Sequence, residues 1–329
     1  MTPTIKPEVV GKKKPFVPKK RREFLSRKAS DKLWFWLFLM PVLIPFLLMV
    51  ITPFITGIYY SFTNWTGGLA PTEWVGLDNY RGLTSDHRFI YSFYRTVIYA
   101  ILNVLAINLV AFALALLVTR KLKLTNFYRA GFFLPNLIGG LVIGYLWSFI
   151  YRIVLGASGL GLFSSSPLVS RYAMFALVAV VTWQYAGYIM MIYIAALQNI
   201  PEDLIEASQI DGANALQRLR NITLPLVAQA FTVALFLTLV TAFKQFDTVF
   251  SLTRGGPDID IPVWLQNALG MEFPRAVGST RLVAFQIYNW GISRGNFAVA
   301  QAQAVVFFVL LSVISLGQVY FNKKREVEL

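Results

Sequence analysis

Long uncharged stretches alternate along this chain with shorter polar ones, and their lengths set the first expectation. Six of them run Leu33–Phe54, Thr96–Thr119, Ala130–Tyr151, Tyr172–Gln198, Leu224–Phe243 and Phe297–Phe321. About 20 mostly apolar residues, rising 1.5 Å each, cross the roughly 30 Å of hydrocarbon in a bilayer. None alternates strictly between apolar and polar, and all use helix formers such as Leu, Ala and Met, so helices are predicted rather than barrel strands. The fold class is therefore an all-α integral membrane protein with six transmembrane helices. The first stretch has the basic flank of a secretory signal, but it is too long. Thr52-Pro53-Phe54-Ile55 also offers no small-residue cleavage site. It is expected to be a retained helix, irregular at Pro41 and Pro45.

Composition agrees with that reading. Hydrophobic residues make up 56% of the 329, charged residues 14%, and mean hydropathy is +0.58. A soluble domain carries about 25% charged residues. No cysteine is present, which excludes disulfide scaffolds, thiolate zinc sites and cysteine nucleophiles. The single histidine, His87, cannot build a metal cluster by itself, so neither metal nor cofactor is expected. The net charge of +14 would point to nucleic acid in a soluble protein, but eleven of the thirty Lys and Arg precede residue 33. A basic block beside a first span sets orientation and touches anionic membrane lipid instead, and no nucleic-acid partner is expected.

Lys and Arg divide 20 to 10 between alternate sides of the six stretches, which places both termini in the cytoplasm. The expected organisation is a disordered basic tail at 1–32, a first helix at 33–60, an extracytoplasmic loop at 61–95, a core at 96–321 and a cytoplasmic tail at 322–329. Residues 199–223 carry Arg218 and Arg220 against Glu202, Asp203, Glu206 and Asp211, so their cytoplasmic place rests on parity. Between Lys244 and Asn296, apolar pieces at Val263–Leu269 and Leu282–Tyr288 call for surface helices or a partly re-entrant element.

The 199–223 loop is too long and too patterned for a tether. Pro201 suits a helix start, with Glu202 and Asp203 in the first turn. Leu204, Ala207, Ile210 and Ala213 recur every three residues, Gly212 permits a sharp turn, and a second short helix follows before Pro225. Physics alone allows either an interfacial helix pair or a docking element. Glu206-Ala207-Ser208, three residues, Gly212, nine residues and Ile222-Thr223-Leu224-Pro225 resemble the EAA motif of permease subunits of binding-protein-dependent ABC importers. Ser208 replaces a third small residue. Asp211-Gly212-Ala213 and Leu252-Thr253-Arg254-Gly255-Gly256-Pro257 are similar to signatures of the maltose-type carbohydrate branch. The resemblance covers roughly residues 96–318. It implies a five-helix permease core plus an extra N-terminal helix, in the bacterial inner membrane. Glu206, Ala207, Ser208, Asp211 and Gly212 would then couple to an ATPase. The implied partners are a second homologous permease, two cytoplasmic ATP-binding subunits and an extracytoplasmic solute-binding protein carrying an oligosaccharide. No GxxxxGK sequence occurs, so the chain is not the nucleotide-binding subunit and is not expected to be an enzyme.

Polar residues inside the spans mark where a solute would pass. They are Gln184, Tyr185 and Tyr188 in the fourth stretch, Thr238 and Thr241 in the fifth, and Asn103 and Asn108 in the second. Tyr188 lies thirteen residues before Pro201 and Thr238 thirteen after Pro225, so both sit roughly 20 Å from the loop. The resemblance implies a sugar site at Gln184, Tyr185, Tyr188, Thr238, Thr241 and Ala242. The bland alternatives are aromatic-belt tyrosines and interhelical hydrogen bonds. Lys244, Arg254, Arg275, Arg281 and Arg294 would form a basic vestibule on the outer side, suited to a uronate-type acidic sugar, to lipid phosphate or to a docking protein. A membrane-embedded transferase would want paired carboxylates or a metal cluster, and only Asp258/Asp260 and Asp78/Asp86 offer pairs. A proton-coupled transporter would want an ionisable group within a span, and the six stretches contain none.

Overall fold

The structure is a computed structural model that describes residues 27–68, 72–120, 123–155, 168, 172–260, 262–269 and 277–323. The expected disordered tail through residue 26, together with Arg275 and the last six residues, lies outside them. The chain divides into two units, Met1–Thr56 and Gly57–Leu329. Four unbroken helices are long and apolar enough to cross a membrane, and up to six spans result if each of two bent pairs counts as one.

The first unit holds most of α1 (Ser30–Tyr60), whose most apolar window has no buried residue. Its α-helix runs through both Pro41 and Pro45. The irregularity falls later, in a π-turn at Leu47–Ile51. Pro53 follows after Thr52 and has no N–H for the Met49 carbonyl, so the widened turn accommodates a missing bond.

In the second unit, α2 (Asp78–Ser85) leads into α3 (His87–Val118). The helix starts nine residues before Thr96, because Asp86 caps it by accepting from the Arg88 N–H at 3.0 Å. Ser92 and Thr96 donate back to the carbonyls four residues earlier, at 2.6 and 2.7 Å, and so carry their hydroxyls into the buried part of the helix.

The third apolar stretch is not one straight helix. It is α4 (Thr125–Leu137) and α5 (Gly140–Val154), bent by 96°. Pro135 cannot donate a helical bond, Leu134–Leu137 tighten into a 3-10 turn, and Ile138 and Gly139 are extended. The α6 helix (Ala173–Gln198) is the most buried span. At Gly187 it presses against α4, where an added Cβ would lie 1.8 Å from the Phe132 carbonyl oxygen.

After the loop helix α7 (Glu202–Ile210), the fifth stretch also breaks, into α8 (Ala215–Leu226) and α9 (Ala228–Phe243) with a 71° bend. Pro225 again removes a donor, and a π-turn at Leu219–Thr223 precedes it. The segment from Lys244 to Asn296 folds as α10 (Asp247–Leu252), β1 (Asp258–Ile259), α11 (Val263–Leu269), β2 (Val277–Gly278) and α12 (Val283–Tyr288). The two apolar pieces expected here are α11 and α12. Strands β1 and β2 pair antiparallel, Asp258 opposite Gly278. The last helix is α13 (Phe297–Lys323).

The core of this unit is α3 packed on α6, with α9 against α3 and α13. Tyr99 of α3 lies beside Tyr185 of α6, and nine residues further along α3 Asn108 meets Tyr193, eight further along α6. Helices α3 and α6 therefore run parallel, and the His87 end of α3 is opposite the 199–223 loop.

Candidate functional site

The loop is built by its caps. Pro201 is extended, with φ −58° and ψ 130°, and releases the chain into α7 with Glu202 and Asp203 in the first turn. At the other end Gly212 takes φ +77°, a left-handed conformation that costs a residue with a Cβ. Its N–H donates to the Gln209 carbonyl at 3.1 Å, and the Ala213 N–H donates to the Ser208 carbonyl at 2.9 Å. That pair of bonds is a Schellman stop. Two residues on, Asn214 starts the next helix with a reciprocal capping box: its side chain accepts from Gln217 N at 2.9 Å, and Gln217 Oε1 accepts from Asn214 N at 2.8 Å. Arg218 locks the corner by donating to the Ala213 carbonyl at 2.7 Å.

The turn is thus rigid while its side chains face outward. Glu206, Ala207, Asp211 and Gly212 are exposed, whereas Ser208 is buried and spends its hydroxyl on the Ile205 carbonyl at 2.6 Å. Ile210 is 87% exposed and Leu216 73%. Two bare aliphatic side chains beside acidic ones form a surface that another protein would cover. The three-residue recurrence places Ile210 on the helix's apolar face, and among the described residues that side chain remains uncovered.

Above the loop, four of the six expected sugar-site residues come together. Tyr185, Tyr188, Thr238 and Thr241 line one narrow cleft with Ile107, Ile189 and Leu237. Its volume is about 10 Å3, room for one water and not for a sugar. Gln184 is not part of that lining: it is buried and donates to the Ile138 carbonyl at 3.1 Å, tying α6 to the break between α4 and α5. Ala242 is fully buried in the core.

Thr238 is also buried. Its hydroxyl donates to the Ala234 carbonyl at 2.8 Å and accepts from Asn108 Nδ2 at 3.0 Å. Asn108 Oδ1 in turn accepts from the Tyr193 hydroxyl at 2.6 Å. This three-helix network is only half legible in the sequence, where Asn108 and Thr238 are polar residues in spans and Tyr193 is not singled out. Tyr188, 36% exposed, is the freest side chain of the cleft that could meet a solute. Toward the loop the same two helices part, and a cleft of about 370 Å3 opens between Asn199–Pro201 and Leu226, Gln229 and Val233.

At the opposite end, Arg281 and Arg294 of the expected basic vestibule converge with Arg88, which the sequence had not grouped with them, around a polar cleft of about 330 Å3. Lys244 and Arg254 are exposed and do not line it.

A bundle with broken spans, a rigid outward loop, a wide cleft near that loop and a tight one beyond it defines a membrane transport component. The chain belongs to the family described as binding-protein-dependent transport system inner membrane component, whose model matches residues 124–327. It is 42% identical to a probable starch degradation products transport system permease protein, AmyD, of Thermoanaerobacterium thermosulfurigenes, over 93% of this chain and 100% of that one. It is 28% identical to the multiple sugar-binding transport system permease protein MsmF of Streptococcus mutans, over 92% and 99%. Among solved structures, a bacterial ABC transporter involved in the import of the acidic polysaccharide alginate superposes with TM-score 0.72 at 20% identity, over 91% of this chain and 98% of that one. The chain is a multi-pass inner-membrane permease subunit and not an enzyme.

Proposed function

We propose that this chain is one of two permease subunits of an ATP-driven importer for an oligosaccharide. It would work with a second homologous permease, two cytoplasmic ATP-binding subunits and an extracytoplasmic solute-binding protein. The carrying observation is the loop: Glu206–Gly212 is held rigid by its caps and presents uncovered acidic and aliphatic side chains at the end of both α6 and α9. A force on that loop reaches Tyr188 along α6, and reaches Thr238 through α8 and the 71° bend into α9. The bent pairs α4/α5 and α8/α9 supply break points at which packed helices can shift as rigid bodies.

In that reading the loop and both termini are cytoplasmic. The wide cleft at Asn199–Val233 opens to the cytoplasm while the Tyr188 level is shut. ATP-driven closure of the partner ATPases would draw the coupling loops together and widen the tight level toward the binding protein. Tyr185 and Tyr188 would stack on sugar faces and donate hydroxyl hydrogen bonds. The names of AmyD and MsmF support a sugar cargo. The acidic, uronate-type version rests on the arginines opposite the loop, because no cationic side chain lines the tight cleft.

The test is reconstitution of the full complex. Solute-binding protein loaded with a neutral oligosaccharide or with an oligouronate is asked to stimulate ATP hydrolysis and uptake. Tyr188→Ala is expected to lower uptake severalfold, from a stacking loss of about 1 kcal/mol, while stimulated hydrolysis persists. Unchanged uptake would remove Tyr188 from the pathway.

A further inference from the structure

Four separate pieces of chain converge at the end of the bundle opposite the loop. Arg88 lies in the first turn of α3, Asp258 in β1, Arg281 just beyond β2, and Arg294 at the end of the π-turn that follows α12. Together with Val277 and Asn289 they line the cleft of about 330 Å3. Three guanidinium groups thus share a space with one carboxylate, a local charge of +2.

The space is not closed by pairing. Among the described residues the one ion pair within 4.0 Å is Arg81–Asp78, far from full burial, so Asp258 does not bridge any of the three arginines. Arg281 is half-buried, and its Nε is buried without a hydrogen-bond partner. Burial pulls its pKa below the ordinary guanidinium range. The Asp258 carboxylate opposes that shift and the Arg88 guanidinium adds to it. Arg294 is held in place over the Trp290 ring, its guanidinium carbon 4.5 Å from the centroid. A half-buried cationic group with no direct ion pair and an unpartnered donor is costly unless something else satisfies it.

Depth narrows what that something is. Arg88 stands one residue inside the start of α3, and Arg294 three residues before α13 begins. Both helices are candidate membrane spans, so the cleft sits at the level of the lipid headgroups. Guanidinium forks match phosphate oxygens two at a time, and basic pockets at span ends take lipid phosphates. Among the described residues the lining has no apolar side chain beyond Val277, which rules out an acyl chain as the group enclosed.

We propose that Arg88, Arg281 and Arg294 form a phosphate-binding site at the headgroup level of the face opposite the loop, with Asp258 limiting its affinity. The phosphate is a lipid phosphodiester or free phosphate, and the test separates them. The complete importer is held in a phosphate-free detergent and titrated with inorganic phosphate at constant ionic strength, reading the melting temperature. In a second arm it is placed in nanodiscs that contain phosphatidylglycerol and no free phosphate, and native mass spectrometry counts the anionic lipid retained. Phosphatidylglycerol retention alone assigns the headgroup, a phosphate response alone assigns the free ion, and mutual competition assigns both to one site.

In the responding arm Arg281→Gln should weaken binding about tenfold or more. Asp258→Asn should strengthen it about threefold or more by removing the competing charge. That opposite sign keeps the test decisive if Arg281→Gln folds poorly. No response in either arm, or weaker binding in Asp258→Asn, overturns the proposal.

Discussion

Asn108 joins three helices through one side chain, and a double-mutant cycle on it tests whether the tie is real. Its Nδ2 donates to Thr238 at 3.0 Å and to the Val104 carbonyl at 2.8 Å, while its Oδ1 accepts from Tyr193 at 2.6 Å. Leu is nearly isosteric with Asn, so Asn108→Leu removes the bonds with little change of shape. Thr238 keeps its donation to Ala234, but the Tyr193 hydroxyl loses the one partner it has among the described residues. Tyr193 is fully buried, packed against Phe112 and Phe231 with ring centroids 5.3 and 4.7 Å away, so no water replaces that partner.

An orphaned buried hydroxyl costs about 1–3 kcal/mol. Tyr193→Phe leaves the ring packing intact and orphans Asn108 Oδ1 instead, at a similar cost. The double variant has neither orphan. It should lose only the net worth of the interhelical bonds, about 0.6 kcal/mol on average in membrane proteins and about 1.7 at most. The coupling energy is then about 1 kcal/mol or more in favour of the pair, readable as non-additive shifts in detergent-induced unfolding of the chain in bicelles. Strictly additive shifts would show that the two side chains do not depend on each other, and the network would have to be given up.

Three further outcomes follow from the same geometry. Glu206→Lys or Gly212→Trp should abolish transport while the complex still inserts. The first reverses an exposed charge, and the second forces a bulky residue to φ +77°. Normal transport by an assembled variant would refute coupling. Asn214→Cys, placed in a chain with no native cysteine, should react with an impermeant thiol reagent only from the cytoplasmic side, and labelling from outside would reverse the proposed orientation. Gly187→Ala puts a Cβ 1.8 Å from one backbone atom of Phe132 and 2.3 Å from another, so α4 and α6 must separate. The expected result is loss of monodisperse protein after purification, and a wild-type yield would refute the close contact between α4 and α6.

Length and polarity made most of the bundle legible. Every long apolar stretch became mostly helix, with breaks in the third and fifth, because lipid leaves the backbone no other way to satisfy its donors within one segment. The loop was legible for a different reason. Pro201, Gly212, Asn214 and Gln217 act on neighbours within five residues, and capping chemistry is read from such short spacings. Even the short helices α11 and α12 announced themselves as apolar runs.

What stayed hidden depended on distance in sequence or on competition among neighbours. Five prolines stand in or beside the first, third and fifth stretches at Pro41, Pro45, Pro53, Pro135 and Pro225. Only the last three accompany a break or a widened turn, so a missing donor alone does not decide where a helix yields. Pro135 breaks its helix where Gly139 and Gly140 follow and Gln184 of α6 reaches in to take the freed Ile138 carbonyl. Pro41 has no such help and the helix passes through it. The same dependence separates Thr238 from Tyr188. The two line one cleft, but Thr238 has spent its hydroxyl on α3 while Tyr188 has not, and only the packing of Asn108 against both α6 and α9 makes that difference. Residues that look alike as polar points in a span therefore divide into those that hold the helices together and those left free to meet a solute. The division follows from hydrogen-bond partners more than a hundred residues apart, which no local pattern records.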